Sequence, residues 1–437
     1  MSYIEGRKPW SEGATHREDG TSTVEGFIHR IRDMGGFSFL VVRTGRAMVQ
    51  CVLEESVKEK SGRQLETGDT VRLEGVRVPE TRAAGGFEIR ISHVEILSRP
   101  SAQPQVPLTR RKMDISIDVN LDNRPISLRH PHERAIFIIQ EALVQAFRLF
   151  LSGNGFTEVH TPKIQAAGAE GGANIFKLDY FGHPAFLGQS PQLYKQMMVG
   201  VFGRVFEVAP VFRAEKHNTT RHLNEYISMD FEMGFLHGMQ DIMETETAYL
   251  RFAMQYLKEK CAAELALLGA VLPEVGAIPV MKFKDAKKTV VEYFGKKLGG
   301  HGDLDPEEEV LLCEYAKKEL GSEFIFITHY PSPRRPFYAM DDPEDPGYAF
   351  SFDLLFRGLE ITTGGQRIHD HAMQVGKMQE HGIDPAEFKD YLQIHACGMP
   401  PHGGLGLGLE RLTQQILGYK NIRQASLFPR DLKRMLP

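Results

Sequence analysis

The chain has 437 residues, 42% of them hydrophobic and 25% charged, and carries a formal net charge of −5. That length excludes a single ordinary core, and the composition is that of a soluble globular protein of two or more domains. The weakly acidic balance excludes a global basic field, so an RNA partner has to be met by a local patch or by shape and stacking.

Four cysteines, Cys51, Cys261, Cys313 and Cys397, lie far apart with no Cys-x-x-Cys pair. They read as buried or free thiols in a reducing cytosol, and neither a zinc site nor a disulfide framework is supported. The first ten residues lack an apolar leader, and no apolar run is expected to reach membrane-spanning length. A cytoplasmic protein with no membrane and no DNA partner is expected.

In chain order, short alternating runs at 24–31, 37–43, 47–53, 70–78 and 87–97 are separated by Gly and charged turns. They predict a small five-stranded barrel, of which the OB-fold is the common nucleic-acid-binding version; alone, the segment reads by preference as a structural β-domain. The stretch 98–108, rich in Pro, Ser and Gln, opens a linker over 99–130. Apolar Ile136, Ile139, Leu143, Ala146, Phe147 and Phe150 recur at helical spacing and predict a helix over 131–154. Strands alternating with loops are predicted from 158 to 235, followed by a helix over 240–267. The charged segment 277–320 reads as an insertion with helices. Strands at 348–357 and 359–363, a helix over 380–398 and a helix through 413–418, stopped by Gly418, complete the pattern. The expected domains are 1–98, a linker 99–130, and an α+β unit over 131–437.

Two motifs carry the chemistry. Phe212-Arg213-Ala214-Glu215 puts an Arg beside an acid before a polar tail and a further strand. Gly404-Leu405-Gly406-Leu407-Gly408-Leu409-Glu410-Arg411 is a glycine-rich strand leading into a helix that opens with a second Arg. An Arg on a strand can clamp an α-phosphate, and a second Arg can hold the other phosphates. Glycines let backbone approach a flat base, because no Cβ intervenes. Together they suggest ATP bound in a bent form on an antiparallel sheet and attacked by a carboxylate.

These motifs resemble motifs 2 and 3 of the class II aminoacyl-tRNA synthetases. The segment 129–164, ending in Val159-His160-Thr161-Pro162, resembles motif 1, the dimer-forming helix and strand. Gln189-Ser190-Pro191-Gln192-Leu193-Tyr194-Lys195-Gln196 and Gly364-Gly365-Gln366-Arg367-Ile368-His369-Asp370 resemble the archaeal-type aspartyl enzymes within that class. The likeness runs from the first strands to Leu427-Phe428-Pro429-Arg430-Asp431. It implies an N-terminal OB-fold anticodon-binding barrel joined to a class II catalytic domain, in which an antiparallel sheet is flanked by helices.

The resemblance also implies roles. Lys195 and Arg367 would face the side-chain carboxylate of aspartate, a paired positive pocket disfavouring the amide of asparagine. Glu170 and Asp230 would lie near the α-ammonium, with Gln192 and Thr363 lining the same pocket. Arg213 and Arg411 are the catalytic pair, Arg213 at both the aspartate and the α-phosphate. Arg221, His222 and Arg411 would meet pyrophosphate or purine. Ala214, Glu215, Leu223, Glu360, Gly408, Leu409 and Glu410 complete the ATP site. Asp353, Glu360 and Thr363 would hold Mg²⁺; the family usually has Ser where Thr363 stands, which keeps the hydroxyl and adds a methyl. In the barrel, Phe39 and Gln50 have the spacing of the family's anticodon-reading pair, and Arg32 would contact a base edge or hold a phosphate. A base stacked on Phe39 is worth about 1–3 kcal/mol.

His29 and the loop Ala83-Ala84-Gly85-Gly86 occupy the region that separates strict from relaxed relatives. Strict members carry a bulky aromatic near the former and a lysine in the latter, and this chain has neither. The expected partners are L-aspartate, ATP, tRNA(Asp) and also tRNA(Asn), with the protein a homodimer. The alternatives are a strictly tRNA(Asp)-specific enzyme, an asparaginyl-tRNA synthetase, an ammonia-dependent asparagine synthetase and a non-catalytic RNA-binding paralogue.

Overall fold

The computed structural model describes residues 13–16, 20–45, 47–61, 64–83, 85–166, 174–216, 219–297 and 302–436. The chain divides into two compact units, Met1–His130 and Pro131–Pro437.

In the first unit, β1 (Thr15–His16), β2 (Thr21–Asp33), β3 (Phe37–Arg43), β4 (Met48–Glu54), β5 (Thr70–Pro79) and β6 (Phe87–Ser98) form a sheet in the order β1-β2-β3-β4-β6-β5. A further β2–β5 pairing closes it into a barrel. Alternation decides the inside: Leu40, Val42, Val49, Cys51 and Leu53 are buried, while their strand neighbours face outward. Besides the five expected strands there are the short β1 and a helix, α1 (Glu55–Ser61), between β4 and β5. The stretch expected to be linker contains two short helices, α2 (Ile117–Asp122) and α3 (Arg124–Ser127). Ser116 caps the former, its side chain accepting from the Val119 amide.

The second unit opens with α4 (Pro131–Gly153), whose residues Ile136, Ile139, Leu143, Ala146 and Phe147 are buried as the spacing predicts. This 23-residue helix corrects the expectation about apolar runs: by length and composition it could cross a membrane. Its apolar face instead packs in the core with β-sheet and helix side chains. Next come β7 (Thr157–Glu158) and the hairpin-containing sheet of β8 (Ile164–Gln165), β9 (Lys177–Tyr180) and β10 (His183–Leu187). A helix, α5 (Gln192–Phe202), interrupts the region expected to hold only strands and loops, before β11 (Arg204–Phe212) and β12 (Glu225–Gly234). The helix predicted over 240–267 is two, α6 (Gln240–Lys260) and α7 (Ala262–Leu268), broken at Cys261.

The charged segment begins with β13 (Val280–Lys282), which pairs in parallel with the unpredicted β14 (Phe324–Thr328) and so belongs to the main sheet. Its helices are α8 (Phe283–Phe294) and α9 (Pro306–Glu319). Then come β15 (Ser351–Phe356) and β16 (Leu359–Arg367). The helix predicted over 380–398 divides: α10 (His371–Glu380) ends earlier, a 3₁₀ turn (Pro385–Phe388) follows, and only α11 (Lys389–Ala396) lies inside that range. Gly382, at φ +69°, and Pro385 break the run. The chain closes with β17 (His402–Gly408) and α12 (Leu409–Leu417), stopped by left-handed Gly418.

The eight-stranded sheet runs β13-β14-β15-β16-β17-β12-β11-β7, antiparallel except at its two edges. Its faces separate by period two. Met229, Phe231 and Met233 of β12, with Leu405 and Leu407 of β17, join the core packed by α4, α6 and α12. Ser228, Asp230 and Glu232, with Gly404, Gly406 and Gly408, occupy the alternate positions, and of these Ser228, Asp230, Gly406 and Gly408 line a cavity.

Candidate active site

Register builds the floor. Asp353 of β15 pairs with Thr363 of β16, Thr363 with Gly406 of β17, Gly406 with Asp230 of β12, and Asp230 with Glu207 of β11. A bulge in β15–β16 between Leu354 and Leu355 lets Glu360 share the face of Thr363, whose Oγ1 donates to Glu360 Oε1 at 2.8 Å. Glycine on β17 is required by contact: a Cβ on Gly404 would lie 2.0 Å from the Phe231 carbonyl oxygen. Above this floor is a cavity of about 460 Å³, a normal size for a small-molecule site.

One end of the cavity holds the residues expected for the amino acid. Lys195 projects from α5, its Nζ 2.8 Å from Asp230 Oδ2, 2.8 Å from the Leu405 carbonyl and 3.2 Å from Glu232 Oε2. Arg367, ending β16, donates through Nε to Glu232 Oε1 at 2.9 Å and through Nη2 to Gln192 Oε1 at 3.3 Å and Gly404 O at 3.0 Å. The two cations therefore meet in one cavity with Arg213. They are not the free positive pair the sequence suggested, because Asp230 and Glu232 neutralise them. Glu232 is fully buried. Burial pushes its carboxyl up, but Arg367 and Lys195 outweigh that and hold it below the ordinary carboxylate range. Sequence reasoning missed Glu232, although a position two residues after Asp230 on one strand must share its face. Behind it, Gln196 donates to His402 Nε2 at 3.0 Å, and burial drops the His402 imidazole to about 4. Glu170 lies outside the described residues.

The other end holds residues expected for ATP. Asn224 Nδ2 donates to the carbonyls of Arg213 and Glu215, fixing the turn that presents both side chains. His222 Nε2 lies 3.7 Å from Glu215 Oε2, and Leu223 is buried in the wall. Arg411, in the first turn of α12, donates to the Glu360 carbonyl at 2.8 Å and lies 3.5 Å from its Oε1. Glu410 and Gly408 also line the cavity, but the Glu410 carboxyl accepts from the Ile227 amide, and burial pushes it up to about 8. Ala214 does not line the cavity, and its amide donates to Asn174 O at 2.7 Å. Leu409 also stays out of it, as a core residue.

Several residues here were not foreseen. Arg221 donates to Glu309, on α9 of the segment expected to be an insertion. Burial and the neighbouring Glu360 raise the Glu309 carboxyl to about 7. Arg335 donates to Asp353 Oδ2 at 2.9 Å while stacked 3.9 Å over Tyr330. Burial raises Asp353 to about 6 against that pairing, whereas at Glu360 burial is outweighed by Arg411 and the Thr363 hydroxyl and the carboxyl is lowered. Asp353 Oδ1 is buried without a hydrogen-bond partner among the described residues. That orphaned oxygen, with Glu360 and Thr363 beside it, suits a hard divalent cation. No set of three His, Cys, Asp or Glu side chains converges as a self-contained metal cage among the described residues.

In the barrel, Arg32 pairs with Phe39, Phe39 with Val52, and Val41 with Gln50. Alternation thus puts Arg32, Phe39 and Gln50 on the outward face of three adjacent strands. Phe37 meets Phe39 edge-on at 5.2 Å, and Gln50 Nε2 donates to Glu88 Oε2 at 3.1 Å. His29 sits at the β2 bulge between Ile28 and Arg30. Ala83 is buried, Gly85 and Gly86 have positive φ, and Ala84 lies outside the described residues. Cys51, Cys261 and Cys313 are buried free thiols, and Cys397 is exposed.

Residues 116–432 match the family of tRNA synthetases class II (D, K and N), and residues 22–97 match the OB-fold nucleic acid binding domain. Fold and site thus define a class II tRNA synthetase. A curated relative from Deinococcus radiodurans, an aspartate–tRNA(Asp/Asn) ligase, is 45% identical over 96% of both chains. An aspartate–tRNA(Asp) ligase from Pyrococcus furiosus is 40% identical over 95% of both. Among solved structures, asparaginyl-tRNA synthetase from Pyrococcus horikoshii with asparaginyl-adenylate superposes with a TM-score of 0.87 at 29% identity, covering 97% of this chain and 99% of that one. The chain belongs to the aspartate–tRNA ligase family.

Proposed function

We propose that this chain activates L-aspartate with ATP and transfers it to the 3′ end of both tRNA(Asp) and tRNA(Asn). The observation that carries the amino-acid assignment is the convergence of Lys195, Arg367 and Arg213 on one cavity lined by Asp230 and the β17 glycines, with Glu232 buried beneath the first two. Arg367 and Lys195 receive the side-chain carboxylate of the substrate, while Asp230 and Glu170 receive its ammonium. Gln192 sits beside Arg367 and closes the pocket.

The α-carboxylate oxygen attacks the α-phosphorus, the bond to the β-phosphate oxygen breaks, and pyrophosphate leaves. Arg213 stabilises charge on the α-phosphate; Arg221, His222 and Arg411 hold the departing pyrophosphate. Glu215 and Leu223 line the nucleotide end, and Gly408 lets it approach the sheet. Asp353, Glu360 and Thr363 would hold Mg²⁺, which supplies charge neutralisation on the phosphates when bound. The terminal ribose hydroxyl of tRNA then attacks the acyl carbon and AMP leaves, with positioning supplying most of the rate. Arg32, Phe39 and Gln50 read the anticodon by stacking and base-edge contacts.

Acceptance of tRNA(Asn) rests on His29 and the small-residue loop at 83–86, and on the relaxed Deinococcus radiodurans relative at 45% identity. The enzyme is cytoplasmic and works as a homodimer through the motif 1 region, where β7 is an edge of the main sheet. Charging purified tRNA(Asp) and tRNA(Asn) separately tests the reading. Aspartate is expected on both; none on tRNA(Asn) makes the enzyme strict. Pyrophosphate exchange driven by asparagine instead of aspartate would overturn the amino-acid assignment.

A further inference from the structure

Glu309 belongs to none of the sequence motifs and comes from α9, within the segment that reads as an insertion. Its position is set by local chemistry. Asp305 caps α9 and accepts from the Glu307 and Glu308 amides, while Glu308 returns to the Asp305 amide in a capping box. Glu308 also takes the Lys287 ammonium at 2.6 Å, which pins the first turn against α8. With Glu308 turned inward, the next residue is presented to the sheet. Glu309 Oε2 there accepts two donors, the Arg221 guanidinium and the Glu360 backbone amide at 2.9 Å.

The second contact has a counterpart. The carbonyl of Glu360 accepts from Arg411 at 2.8 Å. The backbone at Glu360 is thus held at its amide by Glu309 and at its carbonyl by Arg411. Arg221 stands just after a stretch outside the described residues, and its guanidinium is oriented by the same oxygen. An Arg has five N–H donors in a fixed fork, so engaging one nitrogen leaves others for a phosphate. An acid in this place aims the cation without consuming it.

We propose that Glu309 is a positioning residue for the nucleotide: it holds Arg221 over the phosphate end of the cavity and fixes the strand backbone at Glu360. The proposal rests on the functional reading in which Arg221 meets the pyrophosphate of ATP. It makes the 277–320 segment a part of the ATP site.

Aspartate-dependent ATP–pyrophosphate exchange on the full chain tests it. Glu309→Ala is expected to raise KM for ATP by on the order of tenfold or more, the size of a lost hydrogen bond to a charged group, with KM for aspartate unchanged. Glu309→Gln keeps an oxygen for the Glu360 amide and should recover part of the loss, which also answers a Glu309→Ala chain that fails to fold. Arg221→Ala should raise KM for ATP similarly, and the double variant should fall short of the product of the two single effects. A lower KM for ATP in Glu309→Ala overturns the proposal, since the acid would then compete with the nucleotide. An equal rise in both KM values, or full additivity with Arg221→Ala, overturns it as well. Arg221→Ala with an unchanged KM for ATP removes the phosphate role of Arg221 and the proposal with it. A raised KM in Arg221→Ala beside an unchanged one in both Glu309 variants sinks the proposal alone.

Discussion

Lys195 and Arg367 grip opposite oxygens of one buried carboxylate: Lys195 Nζ lies 3.2 Å from Glu232 Oε2, and Arg367 Nε lies 2.9 Å from Glu232 Oε1. With Asp230 on Lys195 as well, two cations and two acids balance. Under the proposed function, selection of an acidic substrate would then rest on which donors of the cations remain presented, not on surplus positive charge. Glu232→Gln should leave two buried cations short of one negative charge and lower stability by about 3–5 kcal/mol. Urea unfolding of the purified variant checks this, and wild-type stability would show that the shared carboxylate is not what holds the pair.

A second buried acid lies on the opposite face of the sheet. Thr362 Oγ1 donates to Glu246 Oε1 at 2.6 Å, Glu246 Oε2 has no partner among the described residues, and burial raises this carboxyl to about 8. The folded state therefore keeps a proton that the unfolded chain loses near the ordinary glutamate value of about 4.3. Stability from this group is fully present below that value and falls by about 1.4 kcal/mol per pH unit as pH rises towards 8. Glu246→Gln should remove that slope. Unfolding series of both proteins between pH 5 and pH 8 (roughly the window set by the two values) give the answer, and parallel curves would mean Glu246 is not held neutral.

The glycines of β17 should differ in tolerance. A Cβ on Gly404 meets the Phe231 carbonyl at 2.0 Å and Glu232 Cα at 2.7 Å, both backbone atoms. On Gly406 the nearest atoms are Asp230 Oδ2 at 3.2 Å and Ser228 Oγ at 3.4 Å, which are side-chain ends. Gly404→Ala should cost more than the about 1–3 kcal/mol usual for overpacking, because strands have to separate. Gly406→Ala should fold and raise KM for the substrates. Thermal melts of the two, with exchange kinetics on the second, decide between this ordering and its reverse.

In the barrel, Gln50 is oriented by Glu88, so both residues should matter to tRNA and neither to activation. Gln50→Ala should leave pyrophosphate exchange intact and depress charging by about tenfold or more, the scale of one base contact. Glu88→Ala should do the same more weakly. Exchange lost together with charging in Gln50→Ala would end the division of labour between the units.

What the sequence made legible was what repeats locally. The 3.6-residue spacing of Ile136, Ile139, Leu143 and Phe147 located α4, and alternation located the barrel strands. β14 escaped because Phe324–Thr328 is buried on both faces and shows no alternation. α5 escaped because its Gln192–Phe202 sequence sits among strands and lacks a side-chain N-cap. The motif residues Arg213, Glu360, Arg367 and Arg411 do share a cavity. Their partners Glu232, Glu309 and Arg335 did not announce themselves. A buried ion pair between distant segments leaves no period in the sequence, and only tertiary packing shows which charges have lost their water.

The row Asp353, Thr363, Gly406, Asp230 and Glu207 crosses five strands with β17 at its centre, hydrogen-bonded on both sides. A slip of one residue along β17 would turn its glycines to the helices and its leucines into the cavity, wrecking both substrate ends together. Nucleotide and amino-acid recognition are therefore geared to one another through a shared spine.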